Sequence, residues 1–384
     1  MEVNLENLVW LGIRESEVKY SSFINNSISI FGSNSNSLQN QIKKTINHNN
    51  QKYYNFIADF YIKEIINKIE KNPNIKFMNY SQIYNYDSIN KLGLLDYVIC
   101  LNDPKLIKFI NNKFKIKEYL KKYIPVLDYI FIRGRKYELE KLKQIFKTYE
   151  FVIQSEESSG GFRTLLLNEN NKDTIRLNSN EIYMVTKYCK NNIAVNIHVL
   201  VSKTEITLLE PSIQNIEVSE NRLMYKGSDF IAYKEIVDNK IDSKLKKYAT
   251  IVGKMLQNKG YRGILGIDSI IYNGEVYFME INPRFQNSST IINKALKDNN
   301  LPSLQELQYN CFYNKSINLK PCDVNYSSYV NEYGTTNNKI KIEPIEILDK
   351  FNEDIEYEDF SYLSTYIYDK PIMKITNNYH IKEK

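Results

Sequence analysis

Residues Tyr261–Gln286 read YRGILGIDSIIYNGEVYFMEINPRFQ. Two apolar runs, Gly266–Ile271 and Val276–Ile281, flank Asn273-Gly274. β-Branched and aromatic residues alternating around Asn-Gly predict a β-hairpin. Each arm carries an acid that a plain strand would not need, Asp268 on the first and Glu280 on the second. Asn282 and Arg284 follow Glu280 at steps of two, so an extended strand turns all three to one face. A two-residue loop would pair Asp268 with Met279 and set the acids on opposite faces. An odd loop, Tyr272-Asn273-Gly274 with Gly274 left-handed in a bulged turn, sets them on the same face. We expect the odd loop, because two carboxylates and an amide oxygen on one face can hold a hard cation such as magnesium.

Upstream of the hairpin, Leu245, Tyr248, Ala249, Val252 and Leu256 predict an amphipathic helix that Gly260 stops. Before it, Ala194–Val199 alternates as a strand, with Asn196 and His198 on one face. A lone histidine on such a strand is more often structural than functional. Ile182–Tyr188 reads as another strand. Thr207–Leu209 leads into the polar cluster Glu210–Gln214, which could face a substrate. Phe151–Gln154 is a short strand followed by Ser155-Glu156-Glu157-Ser158-Ser159-Gly160-Gly161-Phe162-Arg163-Thr164. Glycines flanked by serines can wrap backbone N–H groups around phosphate oxygens, although the same residues also suit a flexible turn. Leu165–Leu167 would be the return strand.

At Asn102-Asp103-Pro104 a helix begins, with Asp103 suited to the N-cap and Pro104 to the first helical position. Leu106, Ile107, Phe109, Ile110 and Phe114 give it an apolar face, Lys113 lies within it, and Pro125 marks its exit. Residues 1–102 read as a small α/β unit. Its strands are Leu8–Ile13, Ser27–Phe31, Ile75–Met78 and Tyr97–Leu101, with a helix over Ile57–Glu70 and no glycine-rich dinucleotide fingerprint.

Length and composition set outer bounds. At 384 residues the chain makes two or three subdomains, and 42% hydrophobic residues suffice for a core. A net charge of +6, with lysines scattered rather than striped, gives no footprint for nucleic acid. Cys100, Cys189, Cys311 and Cys322 have neither zinc nor redox spacing and read as reduced thiols of a cytoplasmic protein. No signal peptide or membrane-spanning stretch is read. The abundance of Asn, Ile, Lys and Tyr reads as coding bias. Residues 301–384, rich in tyrosine and with a strand-like Tyr362–Tyr368, read as a folded α/β or β-rich extension.

Asp268, then Glu280-Ile281-Asn282-Pro283-Arg284 twelve positions on, with Tyr261-Arg262-Gly263 just before, resembles the metal-binding end of the ATP-grasp family, closest to its biotin carboxylase-like branch. The resemblance implies an α/β (α+β) chain with an ATP-grasp fold. It would divide into a Rossmann-like pre-ATP-grasp domain over 1–102, an ATP-grasp domain over 103–300 and a C-terminal extension over 301–384. The small lid would span about 125–185 and the large half about 186–300. The cofactors implied are ATP and one or two Mg2+, with Mn2+ an alternative, and the metal ligands would be Asp268, Glu280 and Asn282.

Lys113, with Lys105 as competitor, resembles the lysine that contacts ATP phosphates. Ser158, Ser159, Gly160, Gly161 and Thr164 resemble the loop that covers them. Thr186, Lys187 and Tyr188, after Val185, fall where the family holds adenine by backbone groups. Two departures stand out. Gln154 occupies the usual place of a lysine and brings no charge, which Arg163 could supply. Asn196 falls where many members have a glutamate, so its role toward the nucleotide stays open. Arg284 would grip the transferring phosphate.

The leading activity is ATP-dependent ligation of a carboxylate to an amine on an amino acid, peptide or small metabolite. A bicarbonate-activating carboxylase of the same fold and a catalytically inactive regulatory nucleotide-binding module are the alternatives. The resemblance leaves a homodimer open.

Overall fold

The computed structural model describes residues 5–14, 16–31, 50–82, 86–134, 139–156, 164–172, 175, 177–219, 221–317, 319–332, 340–341, 345–347, 356–358 and 363–375. The first part is a parallel sheet of β1 (Leu8–Arg14), β2 (Asn26–Phe31), β3 (Lys76–Asn79) and β4 (Val98–Ile99) in the order β2-β1-β3-β4. The helix Asn50–Lys71 connects β2 to β3. β1 is apolar from Leu8 to Ile13 because both of its faces are covered. Val9 and Leu11 pack with Tyr61 and Ile65 on one side, while Leu8 and Trp10 meet Phe285 and Ile292 on the other.

Next comes a sheet built on β5 (Tyr129–Arg133), β6 (Phe151–Ser155), β7 (Thr164–Leu167), β8 (Ile182–Lys187), β9 (Ile193–Val201), β10 (Ile206–Leu208), β11 (Ser212–Ser219), β12 (Arg222–Asp229), β13 (Gly263–Tyr272) and β14 (Glu275–Asn282). Its path is β14-β13-β9-β11-β12-β7-β6-β8-β5, and β10 pairs with β9 off that path. Every neighbouring pair along it is antiparallel. Alternation along β9 sends Ile193, Val195, Ile197, Val199 and Val201 into a core with Ile241, Leu245, Ala249, Val252 and Leu256 of the helix Asn239–Asn258. Asn196 and His198 therefore turn to the opposite face. Ser327–Glu332 pairs with β12 and with Leu363–Tyr368, so part of the C-terminal region continues this sheet.

Two sequence expectations are corrected here. The segment after Asp103 is two helices rather than one, Pro104–Asn111 and Lys113–Leu120. Asn112 breaks the run: its backbone is extended, and its side chain accepts from Lys115 N as the N-cap of the second helix. Lys113 thus sits at a helix start instead of mid-helix.

The hairpin turn is the second correction. Tyr272 pairs with Glu275, so the loop is only Asn273-Gly274, whose φ values of 50° and 73° are those of a type I′ turn. The register instead shifts between Asp268 and Ser269: Ser269 faces Phe278, and Asp268 faces Glu280. Met279 is the extra residue of a β-bulge. The acids do share one face, but a bulge inside the strand puts them there and not an odd loop.

Candidate active site

Register lines up a polar row across the sheet. Glu280 on β14 pairs with Asp268 on β13, Asp268 with Asn196 on β9, and Asn196 with Ser212 on β11. Cross-strand partners point to the same face. Around this row lies a cleft of about 380 Å³, lined at this end by Lys113, Gln214, Asp268, Glu280, Asn282, Arg284 and Gln286.

The helix start at Lys113 delivers its ammonium to Glu280, and the Lys113 side chain is only 8% exposed. Lys105, the competitor, is exposed on the preceding helix. Asp268 Oδ1 accepts from Asn196 Nδ2 at 2.6 Å and from Gln214 Nε2 at 3.1 Å, and its Oδ2 accepts from Asn282 Nδ2 at 2.8 Å. Arg284 Nη2 donates to Asn282 Oδ1 at 3.0 Å, while Nη1 donates to Phe285 O at 2.9 Å and to the Tyr80 hydroxyl at 3.3 Å. Phe285 packs edge-on against Trp10 with centroids 4.9 Å apart. The parallel sheet thereby fixes where the guanidinium points.

Burial, with the Glu280 charge second, pushes the Asp268 carboxyl up to about 7. Burial acts on Glu280 in the same sense, but the Lys113 ammonium, Arg284 and a hydrogen bond with Asp268 together hold that carboxyl below its usual range. Two carboxylates forced together in this way are relieved by a cation between them. The donor set is two acids and an amide oxygen, which suits a hard divalent ion. It is not a cage of acids: among the described residues, no three His, Cys, Asp or Glu side chains group as metal ligands.

The rest of the cleft is lined by Val152, Gln154, Thr164, Thr186, Lys187, Tyr188, Cys189, Ala194, Ile270, Glu217 and Tyr225, among others. Among the described residues, Gln154 Oε1, Thr186 Oγ1 and Glu217 Oε1 are buried without a hydrogen-bond partner. Such groups cost free energy unless a ligand satisfies them. Ser158, Ser159, Gly160, Gly161 and Arg163 lie outside the described residues.

Within the expected polar cluster 210–214, Gln214 lines the cleft, but Glu210 does not. Its carboxylate binds Lys234 at 2.9 Å and accepts from Val324 N at 2.5 Å. His198 is fully buried, its Nε2 3.3 Å from Ser289 Oγ. Burial, with Arg284 second, pushes it down to about 3, so it is a neutral structural ring at physiological pH.

Of the residues at this end of the cleft, Tyr80 was not expected from the sequence. Tyr80 left no signal, since it comes from a separate sheet. Gln286 was within reach, because it continues the two-step spacing of Glu280, Asn282 and Arg284. It accepts from Asn196 Nδ2 at 3.1 Å, so Asn196 bridges it to Asp268. Gln286 fits only because residue 266 is glycine: a Cβ there would lie 1.1 Å from Gln286 Nε2. Gly266→Ala should therefore swing Gln286 off Asn196. Turnover, followed as ADP release, is expected to fall by about 10²-fold with little change in fold content. Wild-type turnover in this variant would remove Gln286 from the site.

Residues 110–288 match the family model described as the ATP-grasp domain. The chain contains an ATP-grasp domain. Its fold follows that of biotin carboxylase from Campylobacter jejuni, solved with a β,γ-ATP compound, at TM-score 0.60 and 11% identity, covering 94% of this chain and 86% of that one. It also follows N5-carboxyaminoimidazole ribonucleotide synthetase from Thermotoga maritima, at TM-score 0.54 and 14% identity, covering 94% of each chain. The carboxyaminoimidazole ribonucleotide synthase of Aspergillus clavatus, complexed with ATP, gives TM-score 0.56 and 15% identity, covering 94% of this chain and 93% of that one. At such identities the likeness establishes the ATP-grasp fold across the chain and not the substrate. No curated protein matches the sequence. Among the described residues, no helix is long and apolar enough to cross a membrane.

Proposed function

We propose that this protein is an ATP-dependent carboxylate–amine ligase that works through an acyl phosphate. The observation that carries the reading is the convergence of Lys113, Asp268, Glu280, Asn282 and Arg284 on one end of a single cleft. Joining a carboxylate to an amine in water is uphill. In the first step the carboxylate oxygen attacks the γ-phosphorus and ADP leaves. In the second the amine nitrogen attacks the acyl carbon, inorganic phosphate leaves, and the amine proton passes to solvent. Phosphoryl transfer asks the protein mainly for positioning and charge neutralisation.

Magnesium, or manganese, held by Asp268, Glu280 and Asn282 would supply charge to the phosphates. Lys113 is within reach of the same oxygens once Glu280 has another partner. Arg284, oriented by Asn282, Phe285 O and Tyr80, grips the transferring phosphoryl group or the acyl-phosphate oxygens. Thr186, Lys187 and Tyr188 at the cleft wall hold the base, and Thr164 with the loop before it covers the phosphates. Asn196 acts behind Asp268 and not on the nucleotide.

A bicarbonate-activating carboxylase is the second reading. Its support is the similarity of fold to the biotin carboxylase domain of Hydrogenobacter thermophilus 2-oxoglutarate carboxylase, solved with MgADP and bicarbonate as a domain dimer. A panel of amino acids, small acids and bicarbonate, scored by ADP release, separates the two. A ligase releases ADP only with an acid and an amine together, and a carboxylase responds to bicarbonate. Release with neither would reject both readings and leave a nucleotide-binding module.

A further inference from the structure

Lys117 is the side chain this site leaves unexplained. It is 0% exposed and ranks among the largest fully buried side chains, in company with Trp10, Phe77 and Phe151. Among the described residues its Nζ has no hydrogen-bond partner. It lies one helical turn after Lys113 on the helix Lys113–Leu120, and the two point to the same side. Ile116 and Leu120 of that helix join the apolar core. The charged groups that act on Lys117 are Lys113 on its own helix and Glu280 on β14. The helix Pro104–Asn111, packed alongside, buries only Ile107 and Ile110. Two ammonium groups thus lie in the field of one carboxylate, and of the two Lys113 alone contacts it.

A buried ammonium without an acceptor is expensive, and a methionine of similar length would fill the same space at no such cost. Among the described residues Glu280 offsets it only in part, and Lys113 already holds that carboxylate, so a further anion would come from outside. The cleft beside Lys113 has a neutral residue, Gln154, on the lid strand, where a cation would serve a polyphosphate. We propose that Lys117 is a reserve cation for the phosphates of the bound nucleotide, held behind Lys113 and standing in for the charge that Gln154 lacks. The inference rests on the nucleotide reading of this cleft. It acts through the field and not by contact, so Lys117 is a positioning residue.

Burial, then repulsion from Lys113, lowers the Lys117 ammonium to about 7, with Glu280 opposing. Near neutral pH the group is therefore only partly charged. An arriving polyphosphate favours the charged form, and nucleotide binding takes up a proton. The sign follows: the bound-state value is the higher one, so affinity falls as pH rises above about 7 and is flat below it.

Calorimetric titration of the full chain with ADP and with adenosine, in buffers of different ionisation enthalpy at pH 8, tests this. Lys117→Met is expected to weaken ADP by about tenfold or more. It should leave adenosine unchanged, reduce proton uptake and raise the melting temperature of the free protein. Lys117→Arg, which keeps the charge, retains ADP affinity, and it replaces the methionine variant should that one misfold. ADP affinity and proton uptake equal to wild type in Lys117→Met would overturn the proposal. Failure of the wild type to bind either ligand would instead overturn the nucleotide reading.

Discussion

Glu280→Gln is expected to keep its fold and lose about 10²–10³-fold in turnover. The substitution preserves shape, so the β-bulge at Met279 and the pairing with Asp268 can persist. Glutamine still offers an oxygen to Lys113, which limits the cost to folding. What goes is the negative charge. Without it the polar row has one carboxylate in place of two, and a divalent ion loses its stronger ligand. Lys113, otherwise matched by Glu280, is left as an excess cation beside Lys117. ADP release with saturating ATP and magnesium, compared with the thermal melt of the same preparation, checks the result. An active and stable Glu280→Gln enzyme would count heavily against the scheme, because Glu280 is the carboxylate that faces Asp268 and holds Lys113.

Arg284→Ala is the second large loss, about 3 kcal/mol of transition-state binding. The guanidinium is held by Asn282 Oδ1, Phe285 O and the Tyr80 hydroxyl, so it is oriented before any ligand arrives. A preorganised planar donor stabilises developing charge without reorganising. Arg284→Lys should not rescue, since a point charge cannot use the same three acceptors and still present a fork to an oxyanion. Stopped-flow measurement of the phosphoryl-transfer burst, beside equilibrium binding of ADP, separates the effect. The burst rate should drop while ADP affinity changes little. If both fall together, Arg284 serves nucleotide binding and not the transferring group.

Much of this site was legible in the sequence because its residues are close in the chain. Within Glu275–Asn282 the spacing of a strand sets Glu280 and Asn282 on one face, the Asn-Gly turn fixes where the chain reverses, and Arg284 and Gln286 follow just past the strand end. The core was legible for the same reason: the alternation in β9 and the helical spacing of Leu245, Ala249, Val252 and Leu256 each report one buried surface. Asp103, Pro104 and Gly260 marked helix ends through local backbone chemistry.

The reading erred where two local solutions gave the same outcome. An odd loop and a bulge both align Asp268 with Glu280, and nothing in the residues near Met279 chooses between them. Asn112 erred in the other direction, since a cap residue inside an apolar helical run reads as part of the helix until its backbone is seen.

By itself, then, the sequence determined the hairpin, the acids and their neighbours Asn282 and Arg284, and the lysine-bearing segment after Asp103, because short-range spacing carries that information. Only the tertiary structure decided that Lys113 meets Glu280, that Tyr80 and Trp10 aim Arg284, that Gln286 needs a glycine at 266, and that Lys117 is buried with no hydrogen-bond partner among the described residues. Each of those depends on residues far apart in the chain being packed side by side, and no local pattern encodes such a distance.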